Sequence, residues 1–155
     1  LLNPAKAPYT LIGVSSEQAL ELISQVIIKD SSKKRTLVFY GNGLDELTSL
    51  GPILAYEIAN GTRTRMVIDP RALGFASCSI QDLKGGDART NALILKEVFA
   101  GKQNAIADSL VISAGSAIWI FGKAKTLEEG VEIAKKVQRE GGAAKTLENW
   151  KSLCI

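Results

Sequence analysis

YTLIGVSSEQALELISQVIIKDSSKKRTLVFYGNG, residues 9–43, is the stretch on which the fold turns. Its first part, 9–14 (YTLIGV), is a short β-prone run of the kind that forms a buried strand. Ser15 and Gln18 offer a capping box, and Ala19, Leu20, Leu22, Ile23, Val26 and Ile27 follow at helical spacing. After a polar turn at 30–34, the run RTLVFY (35–40) reads as a second buried strand and stops at Gly41-Asn42-Gly43. Two strands joined through a helix pair in parallel with a right-handed crossover. In open α/β sheets ligands sit at the carboxyl ends of the strands, and the acidic pair Asp45-Glu46 falls just past that edge.

Downstream the pattern changes. The β-prone runs 53–58 and 64–68 flank Asn60-Gly61, the strongest short hairpin signal, and Asp69-Pro70 closes the second arm. A single turn is expected at 79–83, ahead of Lys84-Gly85-Gly86-Asp87. From Asp87, a helix cap, the chain reads as helical: to residue 99 or 100 with Gly101 as the stop, then 105–121, then from the capping box at 126–129 to Gly141-Gly142, then 143–153. The expected fold class is α/β: a three-layer domain with a mainly parallel sheet, an antiparallel hairpin contribution from 53–68 and helices on both faces.

The totals narrow the chemistry. One domain fits 155 residues, with 46% hydrophobic and 23% charged residues. A net charge of +3, with Lys33-Lys34-Arg35 as the one tight basic run, lacks the basic stripe with interleaved aromatics that nucleic acid requires. No nucleic-acid partner is expected. No apolar stretch reaches the ~20 residues of a membrane span; 105–121 is interrupted by Asp108, Ser109, Ser113 and Ser116. No membrane partner is expected either. With no histidine, and with Cys78 and Cys154 far apart, zinc sites and His-dependent nucleophiles are excluded, and a reducing cytoplasm suits the two thiols. The chain begins with Leu1 and holds Met66 as its one methionine, so a piece of a longer protein is expected.

Three features are candidates for chemistry. In Gly41-Asn42-Gly43-Leu44-Asp45-Glu46-Leu47, two adjacent carboxylates on an irregular loop can face one ion. Magnesium is commonly held by one or two carboxylates together with water and substrate phosphates. The alternative is a solvated acidic turn. Lys84-Gly85-Gly86-Asp87 precedes a helix N-terminus, where amides can hold an anion; helix capping by Asp87 is the competing reading. Ser113-Ala114-Gly115-Ser116-Ala117 makes a smooth helix face, suited to a ligand or to close helix packing.

In order and spacing these segments resemble the carboxyl-terminal half of the anthranilate phosphoribosyltransferases, members of the nucleoside phosphorylase-like family. Leu1-Leu2-Asn3-Pro4-Ala5 is similar to the family's "GPL-NPA" inter-domain crossing, and Leu11-Ile12-Gly13-Val14 to its next strand. Gly43-Leu44-Asp45-Glu46-Leu47 with Gly51-Pro52 is similar to the "GLDE" loop, and Leu83-Lys84-Gly85-Gly86-Asp87 to the "L-GG" turn. Gly122-Lys123-Ala124 and Leu127-Glu128-Glu129-Gly130 are similar to the family's late helical pattern. The resemblance implies transfer of the phosphoribosyl group from phosphoribosyl diphosphate to anthranilate in tryptophan biosynthesis. It further implies Mg2+ held by Asp45 and Glu46 against the diphosphate, and a weak substrate-binding role for Asn3. Residues 1–155 would be the carboxyl-terminal α/β domain, with 1–8 as the crossing segment.

The same resemblance exposes departures. The family's "GTGGD" loop, its "KHGN" segment, its anthranilate-binding arginine and its helical amino-terminal domain have no counterpart in these residues. The chain is therefore expected to be inactive alone, with an amino-terminal half as partner at 1–8 and the small-residue helix. The alternatives are a pyrimidine nucleoside phosphorylase-like domain and a non-catalytic interaction module.

Overall fold

The computed structural model describes residue 3 and residues 5–153. Four strands, β1 (Tyr9–Gly13), β2 (Arg35–Tyr40), β3 (Ile53–Ala59) and β4 (Thr62–Ile68), lie in that order across one sheet. Helix α1 (Glu17–Ile27) connects β1 to β2; a 3-10 turn (Ile80–Leu83) and helices α2 (Ala88–Phe99), α3 (Ala105–Ile120), α4 (Leu127–Arg139) and α5 (Gly142–Leu153) follow. β1 and β2 pair in parallel, as a crossover through α1 requires.

The expected α/β class, the hairpin and the helices on both faces are all present. The sheet itself is mixed: β2–β3 and β3–β4 are both antiparallel. The reason is local, because no helix separates β2 from β3 and the chain can only return beside the strand it has just left. Asn60 and Gly61, with φ of 51° and 71°, make the positive-φ turn between β3 and β4.

β2 is one of the two inner strands, and its residues Thr36, Leu37, Val38 and Phe39 are all buried. One face of the sheet packs on α1 through Val14, Leu20, Ile27, Val38 and Ile58. The other holds the larger core, where Leu37, Phe39, Ile53, Ala55 and Ile68 meet Val111, Ile112, Trp119 and Ile120 of α3 and Val131 and Ala134 of α4. Truncating a fully buried residue such as Leu37 or Ile112 to alanine costs about 2–5 kcal/mol.

The small-residue run in α3 serves close packing. A side chain on Gly115 would meet the Val131 backbone at 2.6 Å, and one on Gly130 would strike the Gly115 carbonyl. The Gly115 face expected to receive a partner is therefore closed by α4 of the same chain. Of the proposed crossing segment, residues 1, 2 and 4 lie outside the described residues.

Two caps differ from expectation by one residue. Ser16, not Ser15, caps α1, its Oγ accepting from the Ala19 amide at 3.1 Å, because the helix starts at Glu17. At α4, Thr126 accepts from the Glu129 amide as expected, but the Glu129 carboxylate reaches back to the Lys125 amide at 2.7 Å. Asp87 caps α2 by accepting from the Thr90 amide at 2.8 Å.

Candidate metal and diphosphate site

The acidic loop begins as a miniature hairpin. Gly41 and Leu44 exchange both backbone hydrogen bonds, at 2.9 and 3.1 Å, around Asn42 and Gly43 with φ of 56° and 92°. That is a type I′ turn, whose positive φ values asparagine and glycine tolerate best. The Asn42 side-chain amide donates to the Pro52 carbonyl at 3.1 Å, tying the turn to the residue before β3.

Asp45 and Glu46 come next, and glycines set their height above the sheet. A Cβ on Gly13, the last residue of β1, would collide with the Asp45 carbonyl, and a Cβ on Gly41 with the Glu46 carbonyl. The loop therefore lies directly across the carboxyl ends of the two parallel strands, at the edge where ligands bind in open sheets. Leu47, Thr48 and Ser49 behind it are buried and fix it from below. The Ser49 carbonyl accepts from the Cys78 amide at 3.1 Å, which brings the segment before the 3-10 turn alongside.

Both carboxylates are exposed, and among the described residues neither forms an ion pair. Two unpaired hard oxygen donors on a backbone fixed by glycine contacts suit magnesium, which takes few protein ligands and fills its remaining positions with water and phosphate. Among the described residues no cluster of three acidic, cysteine or histidine side chains exists. Tight binding of the ion alone is not built in.

Glu46 also walls a groove of about 560 Å³, with Leu44 and Thr48 from the loop, Ile80, Gln81, Leu83 and Lys84 from the 3-10 turn, and Ile106, Ser109 and Leu110 from α3. Thr48 and Ser109 escaped the sequence reading. They reach the groove from separate elements, and nothing in the sequence marks a serine or threonine for that role. Gly13 escaped it as well; its one signal was a glycine ending a buried strand.

The Lys84-Gly85-Gly86-Asp87 turn is closed by its own side chains. Asn91 accepts from the Gly86 amide at 2.8 Å and donates to the Gly86 carbonyl at 2.9 Å. The Thr90 amide and hydroxyl hold the Asp87 carboxyl below its ordinary range, so capping occupies this helix end. Asn3 stands apart from the acidic pair. Its side chain accepts from the Ala7 amide at 3.0 Å and donates to the Ala7 carbonyl at 3.3 Å. That segment precedes β1, whereas the acidic loop lies past its far end, so the structure does not bring Asn3 to Asp45 and Glu46.

Comparison with known proteins agrees with this architecture. The anthranilate phosphoribosyltransferase of Chlamydia felis is 55% identical over 150 residues, covering 97% of this chain and 44% of its own length. The crystal structure of anthranilate phosphoribosyltransferase from Thermus thermophilus superposes with a TM-score of 0.86 at 30% identity, over 96% of this chain and 44% of that one. The Saccharomyces cerevisiae enzyme in complex with PRPP and Mg shares the fold, with a TM-score of 0.77 at 21% identity over 90% of this chain and 41% of that one. The chain thus spans under half the length of the relatives it matches. The family model described as "Glycosyl transferase family, a/b domain" matches residues 1–144, so the chain belongs to that glycosyl transferase family.

Proposed function

We propose that residues 1–155 form the carboxyl-terminal α/β part of an anthranilate phosphoribosyltransferase, in which Asp45 and Glu46 hold magnesium against the diphosphate of phosphoribosyl diphosphate. The observation that carries this reading is the unpaired, exposed acidic pair laid across the carboxyl ends of β1 and β2. Bound there, the cation would neutralise negative charge as it develops on departing diphosphate. The chain's own contribution is positional. Gly13 and Gly41 let the loop descend onto the strand ends, the Asn42–Pro52 bond holds its turn, and Leu47 anchors it in the core. Anthranilate would meet the ribose carbon from the remaining part of the enzyme, where placement of the amine rather than its activation is the requirement. Asn3 has no part in this proposal. A cytoplasmic setting belongs to it, and among the described residues no helix is long and apolar enough to cross a membrane.

Calorimetric titration of the chain tests it. Magnesium alone should bind weakly and magnesium with inorganic diphosphate measurably, with affinity falling at least tenfold in Asp45→Asn/Glu46→Gln. Equal binding by the double variant would overturn the assignment.

A further inference from the structure

The segment after β4, α3 and α4 enclose a second cleft, of about 260 Å³, that shares no residue with the groove beside Glu46. Helical spacing builds its walls. Asp108 and Val111 stand three residues apart on α3, and Lys135, Gln138 and Arg139 stand at i, i+3 and i+4 on α4, each set on one face of its helix. Gly74 and Phe75 close another side. Two of the polar side chains are fully committed to the fold. Gln138 is buried; its amide donates to the Val98 carbonyl at 3.2 Å and the Lys102 carbonyl at 3.4 Å, and its Oε1 accepts from Gln103 at 3.2 Å. Lys135 donates to the Leu73 carbonyl at 2.9 Å and to Glu132 at 2.8 Å, with its ammonium 4.6 Å from the centre of the Phe75 ring.

Two charges in the cleft are not committed. Asp108 is half-buried, and among the described residues its carboxylate forms no ion pair and accepts no hydrogen bond. Burial holds that carboxyl above its ordinary range, and the nearby charge of Lys135 only partly opposes the shift. Its place in the first turn of α3 favours negative charge but supplies no partner. Arg139 stands exposed at the other side, and among the described residues it too forms no ion pair. A partly desolvated charge without a partner costs free energy that a ligand of opposite sign recovers. A metal ion here would meet Lys135 and Arg139, and a simple anion would meet Asp108. A ligand that carries both signs satisfies both groups.

We propose that this cleft binds a small zwitterion of the α-amino acid class, with its ammonium on Asp108 and its carboxylate on Arg139. The Gln103 amide nitrogen already donates to the Gly101 carbonyl at 3.1 Å and to Gln138, which leaves its Oε1 as a second acceptor for the ammonium. Val111 supplies an apolar wall for a small side chain. The volume suits a ligand of that size and falls below the range of sites for larger cofactors. Nothing in this inference draws on the acidic loop, so its failure and that of the Asp45–Glu46 assignment are separable.

The test is titration of the full chain with L-alanine at constant ionic strength, followed by residue-resolved NMR. Saturable shifts should appear at Phe75, Gln103, Asp108 and Arg139, with a dissociation constant on the order of 1 mM, as a few polar contacts to so small a ligand allow. Acetate and methylammonium each carry half of the charge pattern and should bind at least tenfold more weakly. Asp108→Asn and Arg139→Gln should each weaken L-alanine about tenfold, the loss expected for one charged hydrogen bond, while magnesium with diphosphate binds both variants as it binds the parent. Absence of saturable shifts, acetate binding as tightly as L-alanine, or undiminished affinity in Asp108→Asn would each overturn the proposal. Should Asp108→Asn fail to fold, Arg139→Gln, altered only at an exposed position, decides together with the acetate and methylammonium titrations of the parent.

Discussion

Asn42-Gly43 and Asn60-Gly61 are the same dipeptide in the same turn, with positive φ at all four residues, yet they lead to opposite outcomes. After Asn60-Gly61 the chain pairs without interruption from Ala59↔Thr62 to Ile53↔Ile68. After Asn42-Gly43 pairing ends at the single bridge Gly41↔Leu44. The turn chemistry cannot explain the difference, so the flanking residues must. Thr62, Thr64, Met66 and Val67 suit a pleated, half-buried surface, whereas Asp45 and Glu46 do not. A loop that must present two carboxylates cannot also be a strand. The second turn builds the sheet, and the first releases the chain from it at the ligand edge.

The largest effect is expected where that release meets the sheet. Gly13→Ala places a methyl group into the Asp45 carbonyl, a backbone atom that cannot rotate aside. Urea unfolding should show a loss of about 3 kcal/mol, the upper part of the range for overpacking. A loss under about 0.5 kcal/mol would mean the loop rides freely above β1. The hairpin turn offers no equivalent contact, because a Cβ on Gly61 meets nothing within 4 Å.

Gly43→Ala and Gly61→Ala then compare the turns directly. Neither added methyl meets an atom within 4 Å, so the cost at each is the backbone's alone. At φ of 92° and 71° each should lose about 1–2 kcal/mol. Stability should not distinguish them, but ligand binding should: Gly43→Ala is expected to weaken magnesium–diphosphate binding several-fold and Gly61→Ala to leave it unchanged. Equal effects on binding would remove the functional half of the comparison.

Much of this was legible in the sequence because it depends on neighbours along the chain. Short β-prone runs and helical spacing marked β1, α1 and β2, and Asn60-Gly61 between β-prone runs marked the hairpin. Asn42-Gly43 carries the same signal, but the acidic residues after it hide the turn's hairpin geometry. What sequence could not supply depends on residues far apart. Gly13 reads as a strand end, and its contact with Asp45 appears only once the parallel pair has formed. The mixed character of the sheet follows from the direct return of β2 into β3. The groove beside Glu46 draws on the loop, the 3-10 turn and α3, none of which is near the others in sequence.

The smallest expected effect concerns how the hairpin, unlike the acidic loop, is fastened by charge. Just past Asn60-Gly61, Arg63 donates to Glu21 of α1 at 2.7 Å and to the Ser24 hydroxyl at 2.9 Å, and its guanidinium lies over the Tyr56 ring at 4.3 Å. Tyr56 also donates its hydroxyl to Glu21, at 2.9 Å, and Gln25 donates to it at 2.9 Å. Arg63 first, then Gln25 and Tyr56, lower the Glu21 pKa from 4.5 to about 2. A carboxyl whose pKa is depressed by folding contributes stability that is complete above its unfolded value and fades as pH falls toward the folded one. The window for Glu21 is thus from about pH 4.5 down to about 2. Because the pair is solvent-accessible, screening keeps its share modest. The check is the difference between the parent chain and Glu21→Gln, since Asp30, Asp82, Asp87 and Glu132 are lowered as well and contribute equally to both. Urea midpoints measured across that window should fall more steeply for the parent, with the two converging at its acid end. Parallel slopes would show that Arg63 and Glu21 do not fasten the hairpin to α1, leaving turn chemistry and apolar packing to account for its order.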